Sequence, residues 1–352
     1  MTEFWLAGAS APGRSATFAR RVEDEGWDGW ALVDSQNLAC DPYVHLGLAA
    51  AATSSLKLAT GVTNPLTRHP AASATAIATV HAESGGRAVL GIGRGDSSLA
   101  HLGLAPASPP AFERYLGRLQ GYLRGDEVPF DVERDGAGIA PPAGSLGMAD
   151  APAASRISWI AASGLPKVPL DVAATGPRVI GIAARSADRI TFAVGSDPQR
   201  MSWAIGVARA EAGPSDMPLG AYLPVVVHKD RDRARELVGG GAASFARFSV
   251  MHGSVAGPVN EGDRDPLVSV HDRYDMHRHF THGSPQSQGM PAGTVDRFAV
   301  AGPPSYCVER LSELIELGLG KLVLLGGGIG MDRDAARESR RLRVEEVLPT
   351  LR

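Results

Sequence analysis

The sequence predicts an α/β fold, and within that class a closed (β/α)8 TIM barrel with insertions. Eight short apolar runs, near residues 3, 28, 56, 87, 168, 188, 218 and 321, each precede a helix-like stretch, the alternation expected of parallel βα units. The runs at 56–62 and 87–92 are apolar almost throughout, as strands covered on both faces are. Polar or Gly-rich turns follow those strands, at the ends where parallel α/β folds bind ligands. An open doubly wound sheet is the alternative, but the glycines speak against it. GIGRGD supplies Gly91, Gly93 and Gly95, whereas a G-x-G-x-x-G needs glycine at 96, where Asp96 stands.

The elements follow in order. A strand at 3–8 leads through a Pro-Gly turn to a helix at 15–25, with Phe18, Ala19 and Val22 at helical spacing and Gly26 at its end. The strand at 28–33 finishes in Asp34-Ser35-Gln36-Asn37, and Asp41-Pro42 starts a helix over 41–53. The strand at 56–62, an Ala/Thr-rich helix at 70–83, a Gly-Gly break and the strand at 87–92 form one βαβ unit. It should bring 61–69 and 93–98 to one pocket. A helix follows at 110–123, and the pattern then fades into Pro, Gly and Asp, with a possible hairpin at 156–161.

Barrel order resumes with a strand at 168–174, the tight turn Thr175-Gly176-Pro177 and a helix at 179–186. A strand at 188–194, a helix at 198–212, a strand at 218–228 and a helix at 230–248 come next. The section 251–293 is irregular and His-rich. After it come a short run at 298–301, a helix at 305–317, a strand at 321–325, a glycine triplet at 326–328 and a last helix ending near 348. The expectation is one barrel domain over 1–352, with insertions at about 125–155 and 251–293.

At 352 residues and 44% hydrophobic content the chain can bury a large core. A formal charge of −3, without a Lys/Arg cluster interleaved with aromatics, argues against a nucleic-acid partner. Cys40 and Cys307 are the two cysteines, too few for a disulfide framework and without metal-ligand spacing, which suggests a reducing cytoplasm. The opening MTEFWLAG has no basic segment before an apolar stretch, and no run of about 18 apolar residues suits a bilayer. No membrane association is expected.

The pieces GWDGWALVDSQ, LATGVTNPLTRHP, GGRAVLGIGRGDSSL, DVAATGPRVIGIAARSADRITF and AGPPSYCVERLSELIELG resemble, in order and spacing, the luciferase-like monooxygenase superfamily. Within it they resemble the deazaflavin (coenzyme F420)-dependent branch that includes methylenetetrahydromethanopterin reductase. The resemblance implies a bacterial-luciferase-like (β/α)8 barrel. It also implies a non-prolyl cis peptide at Gly61-Val62, on a strand bulge that presses on the back of the coenzyme ring, with Thr63 and Asn64 just beyond. A plain Gly bulge is the alternative there. The turn Ala174-Thr175-Gly176-Pro177 matches the family loop that holds the coenzyme phosphate, and a small-residue turn opening a helix suits an anion. The triplet at 326–328 is a rival phosphate loop.

The same resemblance places Asp34 against the coenzyme ring and Ser35 where one branch carries a catalytic His, absent here. Asp96 falls where that branch has an acidic group able to exchange a proton; its alternative is an N-cap for the turn at 97–102. Gly93 and Arg94 sit beside it, with Arg94 able to pair with a coenzyme carboxylate or phosphate, or with Asp96. His69, before Pro70, reads as structural. His271, His277, His279 and His282 form a cluster in the second insertion, better suited to a polar lid or substrate-contacting loop than to a metal site.

The implied activity is an oxidoreductase moving a hydride between coenzyme F420 and a small organic substrate. An FMN-dependent monooxygenase using oxygen is a rival, as is a flavin-binding protein without turnover. The Ala-rich helices at 43–53 and 71–82 suggest a homodimer.

Overall fold

A computed structural model describes residues 1–131, 140–213 and 216–352. The stretch 132–139, part of the first expected insertion, lies outside the described residues. Strands β1 (Glu3–Gly8), β2 (Gly29–Leu32), β3 (Lys57–Thr60), β4 (Ala88–Ile92), β5 (Leu170–Ala174), β6 (Arg189–Phe192), β7 (Leu219–Val227) and β8 (Lys321–Leu325) pair in parallel, each with the next. The register Glu3↔Lys321 between β1 and β8 closes the ring. These are the eight runs expected from the sequence. A ninth short strand, Val300–Gly302, pairs with the far half of β7 at Val225↔Val300, beyond the Ile190↔Leu219 pairing of β6.

The covering helices are α1 (Ser15–Asp24), α2 (Pro42–Ala52), α3 (Pro70–Glu83), α4 (Pro109–Arg124), α5 (Pro177–Ser186), α6 (Pro198–Ala212), α7 (Arg231–Phe248), α8 (Pro304–Glu316) and α9 (Arg333–Leu342). Their starts are chemical. Asp41, Asp197, Asp230 and Asp332 each accept two backbone N–H groups of the first turn, and α2 and α6 add proline at the first position, where its missing N–H costs nothing. His69 caps α3 through the N–H of Ala71 and contacts Arg118, a structural role.

Outward strand residues such as Phe4, Trp30, Leu58, Leu90 and Phe192 pack under the helices as one core, while Trp5, Ala31, Ala59, Tyr222 and Val323 fill the interior. Low in that interior Lys321 Nζ donates to Asp171 Oδ2 at 2.9 Å and lies 3.8 Å from the Trp5 ring centroid. Thr191 Oγ1 also donates to Asp171.

Two details differ from the sequence reading. Residues 156–161 form no hairpin; instead Val128–Pro129 pairs antiparallel with Ala154–Ser155, because the partner of 154–155 lies across the insertion and not beside it in the chain. The segment 251–293 is also less irregular than expected, holding helix Arg264–Asp272 and several 3-10 turns, and a second helix, Ala292–Phe298, begins at its end. Among the described residues no helix is long and apolar enough to cross a membrane.

Candidate active site

The inward positions at the carboxyl ends of the strands carry small side chains. Ala7, Gly93, Ala173 and Ala193 line a cavity of about 470 Å³, with Val62, Tyr222 and Leu325 as larger walls. Bulk that fills the opposite end of the barrel is missing here. The result is a shallow apolar floor ringed by loop residues.

The sequence-predicted residues converge on this mouth in different ways. Ser35, Gly61, Val62, Thr63, Gly93, Arg94, Asp96 and Thr175 line the cavity. The Gly61-Val62 peptide bond is cis. Glycine is required at 61 by close approach, since a Cβ there would stand 2.8 Å from Ala31 Cβ. Asp34 is 3% exposed and lies behind the wall, accepting from Thr63 Oγ1 at 2.6 Å and from the Gln36 amide. Burial raises its pKa above the usual carboxylate range, against those hydrogen bonds and the charge of Arg68. Asn64 is buried as a brace: its Oδ1 accepts from the N–H groups of Leu66 and Thr67, and its amide reaches Ser98.

Thr175 and Val179 border the cavity at the start of α5, whose first turn begins at Pro177 after Gly176 at the cap position. Ala174, buried at the end of β5, points away from the cavity and its carbonyl accepts the N–H of Ala193. Gly326 and Gly328 border the same mouth, but the triplet has a packing reason of its own. A Cβ on Gly327 would lie 2.2 Å from Leu237 O of α7, and one on Gly328 2.8 Å from Phe280 O.

Asp96 shows what tertiary structure adds. It precedes the short helix Ser97–Ala100 yet makes no capping hydrogen bond. Its Oδ1 instead accepts from Arg247 Nη1 of α7 at 2.6 Å, and Arg94 donates to Ala107 O. The N-cap alternative and the Arg94–Asp96 pairing are therefore both corrected, because α7 brings a better-placed guanidinium. The Arg247 guanidinium carbon lies 4.6 Å from the Tyr274 ring centroid. Tyr274 in turn stands 2.7 Å from His279 Nδ1 and 3.1 Å from Ser244 Oγ.

Sequence reasoning did not single out Arg247, Tyr274 or Ser244, and it gave His279 no place in a network. The available signal was the His-rich segment itself. Residues 280–282 hook onto the loop after β8 through Phe280, His282 and Ile329, and His279 and Phe280 face the cavity. His277 packs edge-on to His101. Among the described residues no group of His, Cys, Asp and Glu has metal-holding geometry.

Chemically, the mouth offers an apolar floor for a planar ring, the N-terminus of α5 for an anionic group, and polar side chains on the lid side for a second molecule. Comparison with known proteins bears on which. A family model described as luciferase-like monooxygenase matches residues 4–320. The chain is 26% identical over 331 residues to a 5,10-methylenetetrahydromethanopterin reductase of Methanolobus tindarius, covering 91% of this chain and 92% of that one. It is 28% identical over 349 residues to the Archaeoglobus fulgidus protein of the same name, covering 95% of each. The solved coenzyme F420 dependent tetrahydromethanopterin reductase of Methanopyrus kandleri has a similar fold, with a TM-score of 0.70 at 24% identity over 100% of this chain and 99% of that one.

Proposed function

The chain belongs to the luciferase-like monooxygenase family, and from that premise we propose that it is an oxidoreductase moving a hydride between bound coenzyme F420 and a small organic substrate. The observation that carries the reading is the Ala/Gly floor of the cavity, backed by Gly61 and Val62 and open to the N-terminus of α5. A flat tricycle fits the floor, and a phosphate fits the helix terminus. Relatives named as methylenetetrahydromethanopterin reductases make a reduced-pterin one-carbon carrier the first substrate class to try.

When bound, the deazaflavin supplies a carbon-centred hydride donor or acceptor that avoids one-electron and oxygen chemistry. The chain's own residues do the rest. Gly61 and Val62 would border one face of the ring, with Thr63 anchoring Asp34 behind them, while Thr175, Gly176 and Pro177 would present the α5 terminus to the phosphate. Gly93 and Arg94 close the β4 side, and Ala174 and Asn64 hold the two loops from behind. Ser35 and Asp96 face the substrate side, where Asp96, engaged by Arg247, orients a polar substrate group. Phe245, Phe248 and Phe280 exclude water.

The working unit in this reading is the whole barrel with its insertions, cytoplasmic and dimeric. The outer stripe of α2 exposes Val44 at 63% and Leu48 at 50%, with Leu66 at 49% nearby, an apolar face that a second copy would cover.

Fluorescence titration of the purified apoprotein with coenzyme F420 and, in parallel, FMN tests the proposal. Micromolar binding of the deazaflavin with weaker FMN binding is expected. Preference for FMN, with oxygen uptake on reduction, would overturn it in favour of a monooxygenase; tight binding with no turnover by any donor would leave a carrier.

A further inference from the structure

Helix α7, the lid segment around 274–282 and the loop after β4 meet at the cavity mouth, and the hydrogen bonds there leave few ways to place the protons. Ser244 Oγ donates to Gly240 O at 3.0 Å and accepts from Phe280 N at 3.1 Å. The Tyr274 hydroxyl lies 3.1 Å from Ser244 Oγ and 2.7 Å from His279 Nδ1, and it has one proton to give. Given to Nδ1, that proton would leave the Tyr274–Ser244 contact as two facing oxygens with no hydrogen between them. Given to Ser244, it lets His279 Nδ1–H donate to the phenol oxygen, and every contact then carries one hydrogen. The second arrangement satisfies the network.

It follows that His279 holds its proton on Nδ1. Nε2, with its lone pair, has no hydrogen-bond partner among the described residues, on a ring that lines the cavity. We propose that His279 is the acid–base group that takes and returns the substrate proton, with Tyr274 a positioning residue that sets its tautomer. The inference rests on the hydride-transfer reading above. In the oxidising direction the substrate C–H bond breaks with its electron pair leaving as hydride to the coenzyme. Where the carbon that loses hydride bears an X–H group, that bond breaks, its proton going to Nε2 and its electron pair becoming the C=X π bond; in an N-methyl one-carbon carrier the proton going to Nε2 leaves a second amine nitrogen, whose N–H electron pair forms the C–N bond to the iminium carbon. Reduction reverses this, the imidazolium returning the proton to X or to that nitrogen.

The surroundings suit the role. Burial lowers the His279 pKa, the nearby carboxylate of Asp96 opposes this, and the charges of Arg247 and His101 reinforce it. The titratable and charged groups facing the ring are thus Asp96 and His101 from the β4 side, Arg247 from α7 and Tyr274 from the lid, with His277 packed on His101. Asp96 is paired with Arg247 through Oδ1, and its Oδ2 is buried without a partner among the described residues; His279 Nε2 is likewise unengaged, and it belongs to an imidazole, the side chain suited to passing a proton in either direction near neutral pH.

The test has two arms. In ¹⁵N-histidine-labelled apoprotein, the imidazole signal missing from His279→Gln identifies His279; its neutral form should be the Nδ1–H tautomer, and Tyr274→Phe should move it toward Nε2–H. In the loaded enzyme His279→Gln should lower turnover about 100-fold or more and remove one limb of the pH profile, with coenzyme affinity within about twofold of wild type. Tyr274→Phe should shift that limb. An Nε2–H tautomer in the wild-type protein, or turnover in His279→Gln within about threefold of wild type, overturns the proposal. Failure of the wild-type protein to bind the coenzyme would overturn the functional reading and the acid–base role with it, whereas an Nε2–H tautomer in a protein that does bind the coenzyme overturns this proposal alone.

Discussion

Replacing Arg200 with Met tests how the lid side of the barrel is tied down. Arg200 is 2% exposed in the first turn of α6. Its Nε donates to Val194 O at 3.1 Å, Nη1 to Pro258 O at 2.6 Å, and Nη2 to Ala256 O at 3.0 Å and Ser249 Oγ at 2.8 Å. One side chain thus joins the end of β6, the end of α7 and the start of the second insertion. Methionine keeps an apolar stem but removes every donor, together with the guanidinium that lies 5.4 Å from the Phe298 ring centroid. Three carbonyls lose their partner, Val194 O buried and Ala256 O and Pro258 O half-buried, at a cost of about 1 kcal/mol each, the low end of the range for an orphaned acceptor. Ser249 can rotate and is left out of the sum. The lost bonds are charge-assisted, which raises the cost. Relief of a buried cation, whose pKa is pushed down to about 10 by burial, lowers it. With these opposing, the net expectation is about 3 kcal/mol. Equilibrium urea unfolding followed by tryptophan fluorescence measures it as a lower midpoint at unchanged slope. A loss below about 1 kcal/mol would mean that water replaces the guanidinium, and the ledger of orphaned carbonyls would be wrong. Arg200→Lys should recover only part, because an ammonium cannot reach four acceptors in a fork.

Other expectations follow from the same structure. Glu23 Oε1 accepts from the N–H groups of Ser54, Ser55 and Leu56 and from the Ser55 hydroxyl; burial opposes ionisation, yet these donors hold its pKa down to about 2. A depressed carboxylate stabilises above its unfolded value and loses that contribution as pH falls, so the stability gap between wild type and Glu23→Gln should be full above about pH 4.5 and shrink toward pH 2 in thermal melts. Lys321→Met should cost about 3–5 kcal/mol by leaving Asp171 an uncompensated buried charge, and adding Asp171→Leu should restore most of it; equal destabilisation in the double variant would contradict that account. Asp96→Asn should keep coenzyme affinity and lower turnover, and unchanged turnover would remove Asp96 from the chemistry. Val44→Glu with Leu48→Glu should yield a monomer by light scattering if α2 forms the dimer face; an unaltered dimer moves the interface elsewhere.

The barrel was legible because its signals are local. Apolar runs mark the strands, and Asp-Pro or Asp caps mark α2, α6, α7 and α9, each readable within a few residues. The β3–β4 mouth was legible for the same reason, since both of its loops lie in one βαβ unit. The lid network was not. Asp96 and Arg247 are separated by 151 positions, and in sequence Arg247 is one more arginine near the end of a helix. Its pairing exists only once the barrel closes. Tyr274 and His279 sit in a segment whose composition says polar loop and whose chemistry depends on which hydroxyl of α7 it meets. The pairing of 128–129 with 154–155 was hidden likewise, by an insertion whose ends meet only in space.

Strand β7 is nine residues long, against four for β6. Its first part pairs with β6 at Leu219–Ala221, and its last with Val300–Gly302. The wall therefore has a seam, a point where one neighbour stops and another begins, and the lid enters the chain between α7 and that second neighbour. A segment hung from a seam can be lengthened, shortened or exchanged without reopening the eight-strand ring. Grafting a different lid between α7 and Val300 is thus the natural way to redirect this scaffold to another substrate, with the coenzyme floor left in place.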